Sequence, residues 1–354
     1  MTPAAKRRRT CSVLNLAIVL MILTPVFAAA QEIPLNLATF LTDRIGLKDP
    51  ELADIRRGQA VAKVLPSEKQ EVAVFGIILV NAPATFFVER FRDIESYKKG
   101  TSVPVVKKFS DPPRIQDLDQ LQIDKTDFDA LKNCKVGSCD VKLSAEAIER
   151  LQREIDWKAP DAADQVNELA RASLLGYVKR YLAGGNMALS IYNDKKEPKR
   201  IAEQFDEILK ASPYVYDYEP EFYEYLRAYP AKRLDNVYDF IYWSKEKFGL
   251  KPVISVTHVT VYRKPETGRT LISSKQIYAS HYFEASLGLT AVIATSQEGA
   301  HGFYLLYLNR SRSDALHGGF SGLARSQVKS RTRSGMEKNM EKIKLSIESL
   351  FSPH

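Results

Sequence analysis

Residues 72–80 constrain the fold more than any other stretch of the chain. Val72, Val74, Ile78 and Val80 alternate with Ala73, Phe75, Ile77 and Leu79, so a strand here is apolar on both faces. A strand buried on both sides needs a cover on each face. Residues 59–65 supply a second strand across the polar turn Pro66-Ser67-Glu68-Lys69-Gln70. Upstream, residues 35–47 have the spacing of a short amphipathic helix, and 50–57 add a turn. Downstream, Asn81-Ala82-Pro83 opens a helix, because asparagine caps well and proline is tolerated in the first turn. Phe86, Phe87, Phe91 and Ile94 give that helix one apolar stripe, and Lys99-Gly100 ends it.

Residues 103–109 read as a short strand, and Asp111-Pro112-Pro113 begins an irregular stretch. Helices are predicted over 144–156, 162–182 and 201–209, with a strand at 187–192. Residues 103–230 are therefore a mainly helical insertion or subdomain between strand-rich parts. The last third carries strands at 237–247, 253–262, 270–284, 290–295 and 303–310. Arg263-Lys264-Pro265-Glu266-Thr267-Gly268 is a hairpin turn, which makes the pairing antiparallel. Residues 321–350 close the chain as a long helix with Met336, Met340, Ile343, Ile347 and Leu350 along one face.

Two segments, Val80-Asn81-Ala82-Pro83-Ala84 and Phe91-Arg92-Asp93-Ile94, follow a shared pattern. An apolar strand runs through Val-x-Ala-Pro into a helix that ends on an acidic residue. In this the chain resembles the START-like helix-grip superfamily, also called the polyketide cyclase and lipid-transport superfamily. The resemblance covers residues 59–109 and 236–350; the segment between departs from that family's compact plan. It implies an α+β fold in which a curved antiparallel sheet wraps the long C-terminal helix around an apolar cavity. Residues 31–354 then form one START-like domain, with 103–230 inserted. The implied ligand is a lipid or another hydrophobic small molecule, and many members have no catalytic residues. Tyr242, His258, Tyr278, Tyr282 and Tyr307 are polar-tipped groups on the predicted sheet and are the candidate ligand-binding residues.

Residues 1–30 have the order of a secretory signal. Lys6-Arg7-Arg8-Arg9 is followed by an apolar run over 13–23 and Pro25, with Ala28 and Ala30 placed for cleavage before Gln31. The apolar run is too short to span a bilayer comfortably, and no later stretch approaches ~18 uninterrupted apolar residues. The expected location is the periplasm or the exterior, away from ATP and reduced cofactors. Of the formal charge of +8, the signal carries four basic residues, which leaves +4. So small an excess, on an exported chain, argues against a nucleic-acid partner. Cys134 and Cys139 are the two cysteines beyond the signal, and such a close pair in an oxidising compartment forms a disulfide. Four residues separate them, where a redox pair has two, and no further zinc ligands lie nearby. No cofactor and no metal are expected.

Eight of the 17 tyrosines fall in one segment: Tyr214, Tyr216, Tyr218, Tyr223, Tyr225, Tyr229, Tyr238 and Tyr242. They either seal the insertion onto the sheet or present a groove to a ligand or partner. The alternative function follows from the second reading: a cell-envelope interaction module that uses residues 214–243 and holds no small ligand. His258, His281 and Glu284 are the candidate acid–base or metal set, but His281 and Glu284 are three apart and point to opposite faces of a regular strand. His317-Gly318-Gly319-Phe320-Ser321-Gly322 lacks the glycine a nucleophile elbow needs and reads as a turn into the last helix, capped by Ser321. Basic residues over 310–344 offer weak attraction to an anionic membrane surface, although Asp314, Glu337 and Glu341 are interspersed.

Overall fold

A computed structural model describes residues 34–248, 251–295, 302–314 and 322–351. The signal-like residues 1–30 and the turn expected at 317–321 lie outside them. α1 (Leu35–Thr39), continued by a π turn over Phe40–Ile45, and α2 (Asp49–Arg56) come first. β1 (Val61–Leu65) and β2 (Glu71–Val80) follow, then α3 (Ala84–Arg92), α4 (Ile94–Lys98) and β3 (Val105–Lys108). The insertion holds α5 (Lys125–Leu131), α6 (Ala145–Glu154), α7 (Ala162–Gly184), a two-residue ladder of β4 (Ile191–Tyr192) and β5 (Lys199–Arg200), α8 (Ile201–Lys210), α9 (Pro213–Tyr218) and α10 (Pro220–Ala228). β6 (Val237–Phe248), β7 (Lys251–Lys264), β8 (Arg269–Ala279), β9 (Phe283–Ala294) and β10 (Phe303–Ser313) lead to the closing α11 (Gly322–Phe351).

The fold is α+β. Eight strands make one curved antiparallel sheet in the order β1-β2-β10-β9-β8-β7-β6-β3. The two-faced strand β2 explains the layers. Val74, Ile78 and Val80 pack with Met336, Met340 and Ile347 of α11 and with Phe87 and Phe91 of α3. Ala73, Phe75, Ile77 and Leu79 pack on the other face with Leu41, Ile45, Leu52 and Ile55. Each such large apolar side chain removed from water contributes ~1.5–3 kcal/mol before entropy is counted. A Cβ on Gly76 would lie 2.7 Å from Met336, so glycine is what lets α11 come this close to the strand.

The insertion covers the face that α1 and α2 cover, further along the sheet. Trp243 is fully buried there and donates its indole N–H to the Asp117 carbonyl at 2.8 Å. Tyr177, Val178 and Tyr181 of α7 pack around it with Val256 and Ile277. α8 and α10 set Phe205, Ile208, Phe222 and Leu226 against Tyr262, Ala285 and Leu287. An outer cluster joins Leu131, Ile148, Leu151 and Val166 to the disulfide between Cys134 and Cys139. Gly137 takes the left-handed turn inside that loop, and its N–H donates to the Asn193 carbonyl at 2.7 Å. Closing so short a loop contributes ~2 kcal/mol in the chain-entropy account. Among the described residues no helix is long and apolar enough to cross a membrane.

The structure corrects several expected elements. The strand expected at 187–192 is a 3-10 turn over Gly185–Ala188 followed by two-residue β4, and Met187 is exposed. The single strand expected at 270–284 breaks after Ala279, because Tyr282 sits at φ 62° and turns the chain into β9. The helix expected to open on Asn81-Ala82-Pro83 begins at Ala84, with Pro83 and not Asn81 at its cap position, and breaks at Asp93, whose carboxylate accepts the Ser96 N–H and starts α4. The irregular stretch after Pro113 contains α5, which docks through buried Asp127. Arg310 and Arg312, read as part of a basic surface, are buried and engage Glu71.

Candidate functional site

The register of β6 to β10 decides what faces α11. Tyr242, Thr257, Gln276, Ser286 and Ser311 lie in one row across five strands. Phe240, Val259, Ser274, Gly288 and Asn309 form the next. Strand alternation puts these rows on the same face as Val74 and Ile78. A sheet face covered by a helix is ordinarily apolar. Here it is apolar only where Met336, Met340 and α3 pack, and polar elsewhere. α11 lies over β1 and β2, at one side of the sheet. Ser274, Gln276 and Ser286 belong to middle strands yet remain half-buried. This face is thus polar and half-buried across its middle strands, with Lys98 of α4 at the β6 end and α11 beside it over β1 and β2; the strip is termed the trough.

Two aromatic hydroxyls stand on this floor. Tyr242 is buried on β6. Tyr307, on β10, lays its ring across Gly288, where a Cβ would come within 2.9 Å of the hydroxyl oxygen. Burial pushes the pKa of Tyr307, and that of Tyr97 on α4, above the ordinary phenol value, so both stay protonated donors at neutral pH. Ser286, Asn309 and Ser311 satisfy one another at 2.7–3.2 Å. The Gln276 Oε1 is buried and has no hydrogen-bond partner among the described residues.

At the β6 end, Lys98 of α4 reaches over the floor and pairs with Glu246 at 3.0 Å. Its ammonium also lies 5.5 Å from the Tyr242 ring centre. Burial disfavours the Lys98 ammonium, but Tyr242 and Glu246 outweigh it and hold its pKa above the ordinary lysine value. Burial likewise opposes the Glu246 carboxylate. Lys98 and the hydroxyls of Ser244 and Ser255 overcome it and hold Glu246 below the usual carboxylate range. A depressed carboxyl stabilises the fold fully above its unfolded pKa of ~4.3 and loses that contribution as pH falls through the folded value. Glu246→Gln is therefore expected to cost ~1–3 kcal/mol at pH 7. Thermal melts of both proteins from pH 7 to pH 3 check this, since the gap between them must shrink on acidification.

The five sequence-predicted residues separate. Tyr242 and Tyr307 stand on the trough floor. His258 is on the opposite face, because Tyr242 pairs with Thr257 and His258 pairs with Ile241. There its Nε2 lies 2.9 Å from Asp239 Oδ1 and its Nδ1 2.9 Å from the Tyr181 hydroxyl. Burial pulls the His258 pKa below the ordinary value, against the pull of Asp239. Tyr278 is packed between Tyr177 and Tyr192. The Tyr282 hydroxyl accepts the Lys251 N–H at 2.7 Å. His281 pairs with Asp127 at 2.9 Å, so each of these histidines has its own carboxylate. Among the described residues no cluster of His, Cys, Asp or Glu is arranged to hold a metal ion. Of the tyrosine-rich segment, Tyr225 and Tyr229 seal the insertion around His258, while Tyr216 and Tyr218 are exposed.

Sequence reasoning missed Lys98, Glu246 and Gln276. The period-2 run Ile272, Ser274, Gln276 carried a signal: one face of a central strand turns from apolar to polar. The sequence matches no protein-family model, and no curated protein matches it.

Proposed function

We propose that this chain is an exported, START-like binding protein that holds a hydrophobic small molecule or lipid between the sheet and α11. The polar, half-buried floor on the sheet face beside α11 carries the reading. Residues packed dry against a helix are apolar; residues that meet the polar end of a ligand are not. Tyr242, Tyr307 and Gln276 orient that end, while Phe240, Val259 and the α3 aromatics take the apolar body. The signal-like residues 1–30 and the disulfide support export. The ordering of β2, the α3–α4 pair and α11 around the sheet supports the superfamily reading.

The test is native mass spectrometry of the chain beginning at Gln31, with solvent extraction of anything bound and a lipid-extract addition as control. A stoichiometric adduct is expected, and Ser274→Trp, which fills the trough, is expected to weaken it at least tenfold. A mass without adduct after lipid addition, or an adduct indifferent to Ser274→Trp, overturns the reading.

A further inference from the structure

The same strands carry a cavity on their other face. Its volume is about 460 Å³. The floor is Leu289 and Ala291 of β9 with Leu306 of β10. One wall is Phe40 of the π turn, and the other is Tyr214, Tyr218 and Phe222 from the tyrosine-rich segment. Phe40 meets Tyr218 edge-to-face at 5.4 Å and Tyr214 at 6.2 Å, so two segments far apart in sequence close one aromatic box. Leu289 and Ala291 are only half-buried, although they lie in a middle strand.

Volume and charge limit what fits. An apolar cavity of ~150 Å³ holds one benzene, so this one, roughly three times larger, has room for on the order of 18 carbon atoms. The charges at the mouth are matched within the protein. Asp217 pairs with Arg44 at 2.9 Å, and Glu219 pairs with Lys264 at 2.8 Å and Arg269 at 3.3 Å. Lys264 is also drawn by Glu266. The Tyr214 hydroxyl is engaged by Arg310, which leaves the ring for apolar contact. An electroneutral mouth over an aromatic box complements an uncharged occupant.

We infer that this cavity is a second ligand site, distinct from the trough beside α11, for an uncharged single-chain or fused-ring hydrophobe of about that size. The experiment titrates the chain beginning at Gln31 with fluorescent 1-pyrenemethanol, a fused-ring alcohol that fits this volume, and with the matching 1-pyrenecarboxylate and 1-pyrenemethylamine. Saturable one-to-one binding of the alcohol is expected. Ala291→Trp, which fills the floor, should weaken it at least tenfold. Tyr218→Ser, at an exposed wall position that tolerates change, should weaken it several-fold and serves if Ala291→Trp does not fold. Unchanged affinity in a folded Ala291→Trp or in Tyr218→Ser overturns the inference. So does binding of the carboxylate or amine more than tenfold tighter than the alcohol. A probe displaced by Ser274→Trp and not by Ala291→Trp lies in the trough, and this site then falls while the trough stands. Sedimentation of the unliganded chain supplies the last arm: a dimer abolished by Ala291→Trp means a second copy fills the box, and the inference fails.

Discussion

Lys275→Met is expected to stabilise the folded chain at pH 7 by ~1–3 kcal/mol, read as a rise of several degrees in Tm. Lys275 is on β8, facing the insertion, and is almost fully buried. Its ammonium lies 3.9 Å from the Phe205 ring centre and 5.3 Å from that of Tyr181, and it bonds to the Asn186 carbonyl oxygen. No carboxylate among the described residues pairs with it. Burial therefore pushes its pKa well below the ordinary lysine value. The sign follows from proton counting. Below the unfolded value of ~10.4 the unfolded chain binds the extra proton, so stability falls as pH drops. Methionine keeps the volume and the aromatic contacts and has no charge to desolvate. Against this stands the lost bond to Asn186, worth ~1 kcal/mol. The gap between variant and parent should be wide at pH 7 and narrow at pH 9.5. A variant less stable than its parent at pH 7 would show that the Asn186 bond outweighs desolvation.

Glu71→Ala is expected to cost ~3–5 kcal/mol. Glu71 opens β2 and is buried against Arg310, with the Arg312 guanidinium 3.9 Å away. Arg312 leans also on Glu68 at 3.2 Å and on Gln204 at 2.8 Å, so it keeps partners in the variant. Among the described residues Arg310 then keeps the Tyr214 hydroxyl, at 3.4 Å. The loss is therefore chiefly that of one desolvated guanidinium left without a counter-charge. The double variant Glu71→Leu/Arg310→Met should recover most of the stability, because both charges leave together. Urea titration of the single and double variants completes the cycle. A double variant as unstable as Glu71→Ala would assign the loss to packing instead.

Much of the fold was legible because its strongest signals are local. The two-faced residues 72–80, the helix start beside Pro83, the 263–268 hairpin and the Met336–Met340–Ile347 stripe each settle an element without reference to the rest, although Leu350, expected on that stripe, is exposed. Boundaries that depend on one backbone angle were not legible. Nothing in Ser280-His281-Tyr282 announces that Tyr282 turns left-handed and divides a strand. The site was half legible for a related reason. Alternation within one strand is visible in sequence, but the face shared by two strands depends on their register, and a slip of one residue exchanges the faces. Tyr242 pairs with Thr257 and not with His258, and that single offset sends the histidine to the opposite side of the sheet. Lys98 and Glu246 meet only through tertiary structure, since α4 and the far end of β6 come together after the sheet closes.

β3 and β6 are antiparallel neighbours at the sheet edge, with Lys108 opposite Tyr242. Topologically they are the two arms of one hairpin, and everything from residue 110 to 236 is its loop. A tight turn can replace that loop without re-routing any strand, so the insertion is a graft that the connectivity does not require. What retains it is solvation. Ile241, Trp243, Val256 and Ile277 lie beneath α7, and Tyr262, Ala285 and Leu287 beneath α8 and α10; all would face water in an excised chain. A minimal version of this protein is thus a question of repainting one patch of the sheet rather than of redesigning a fold.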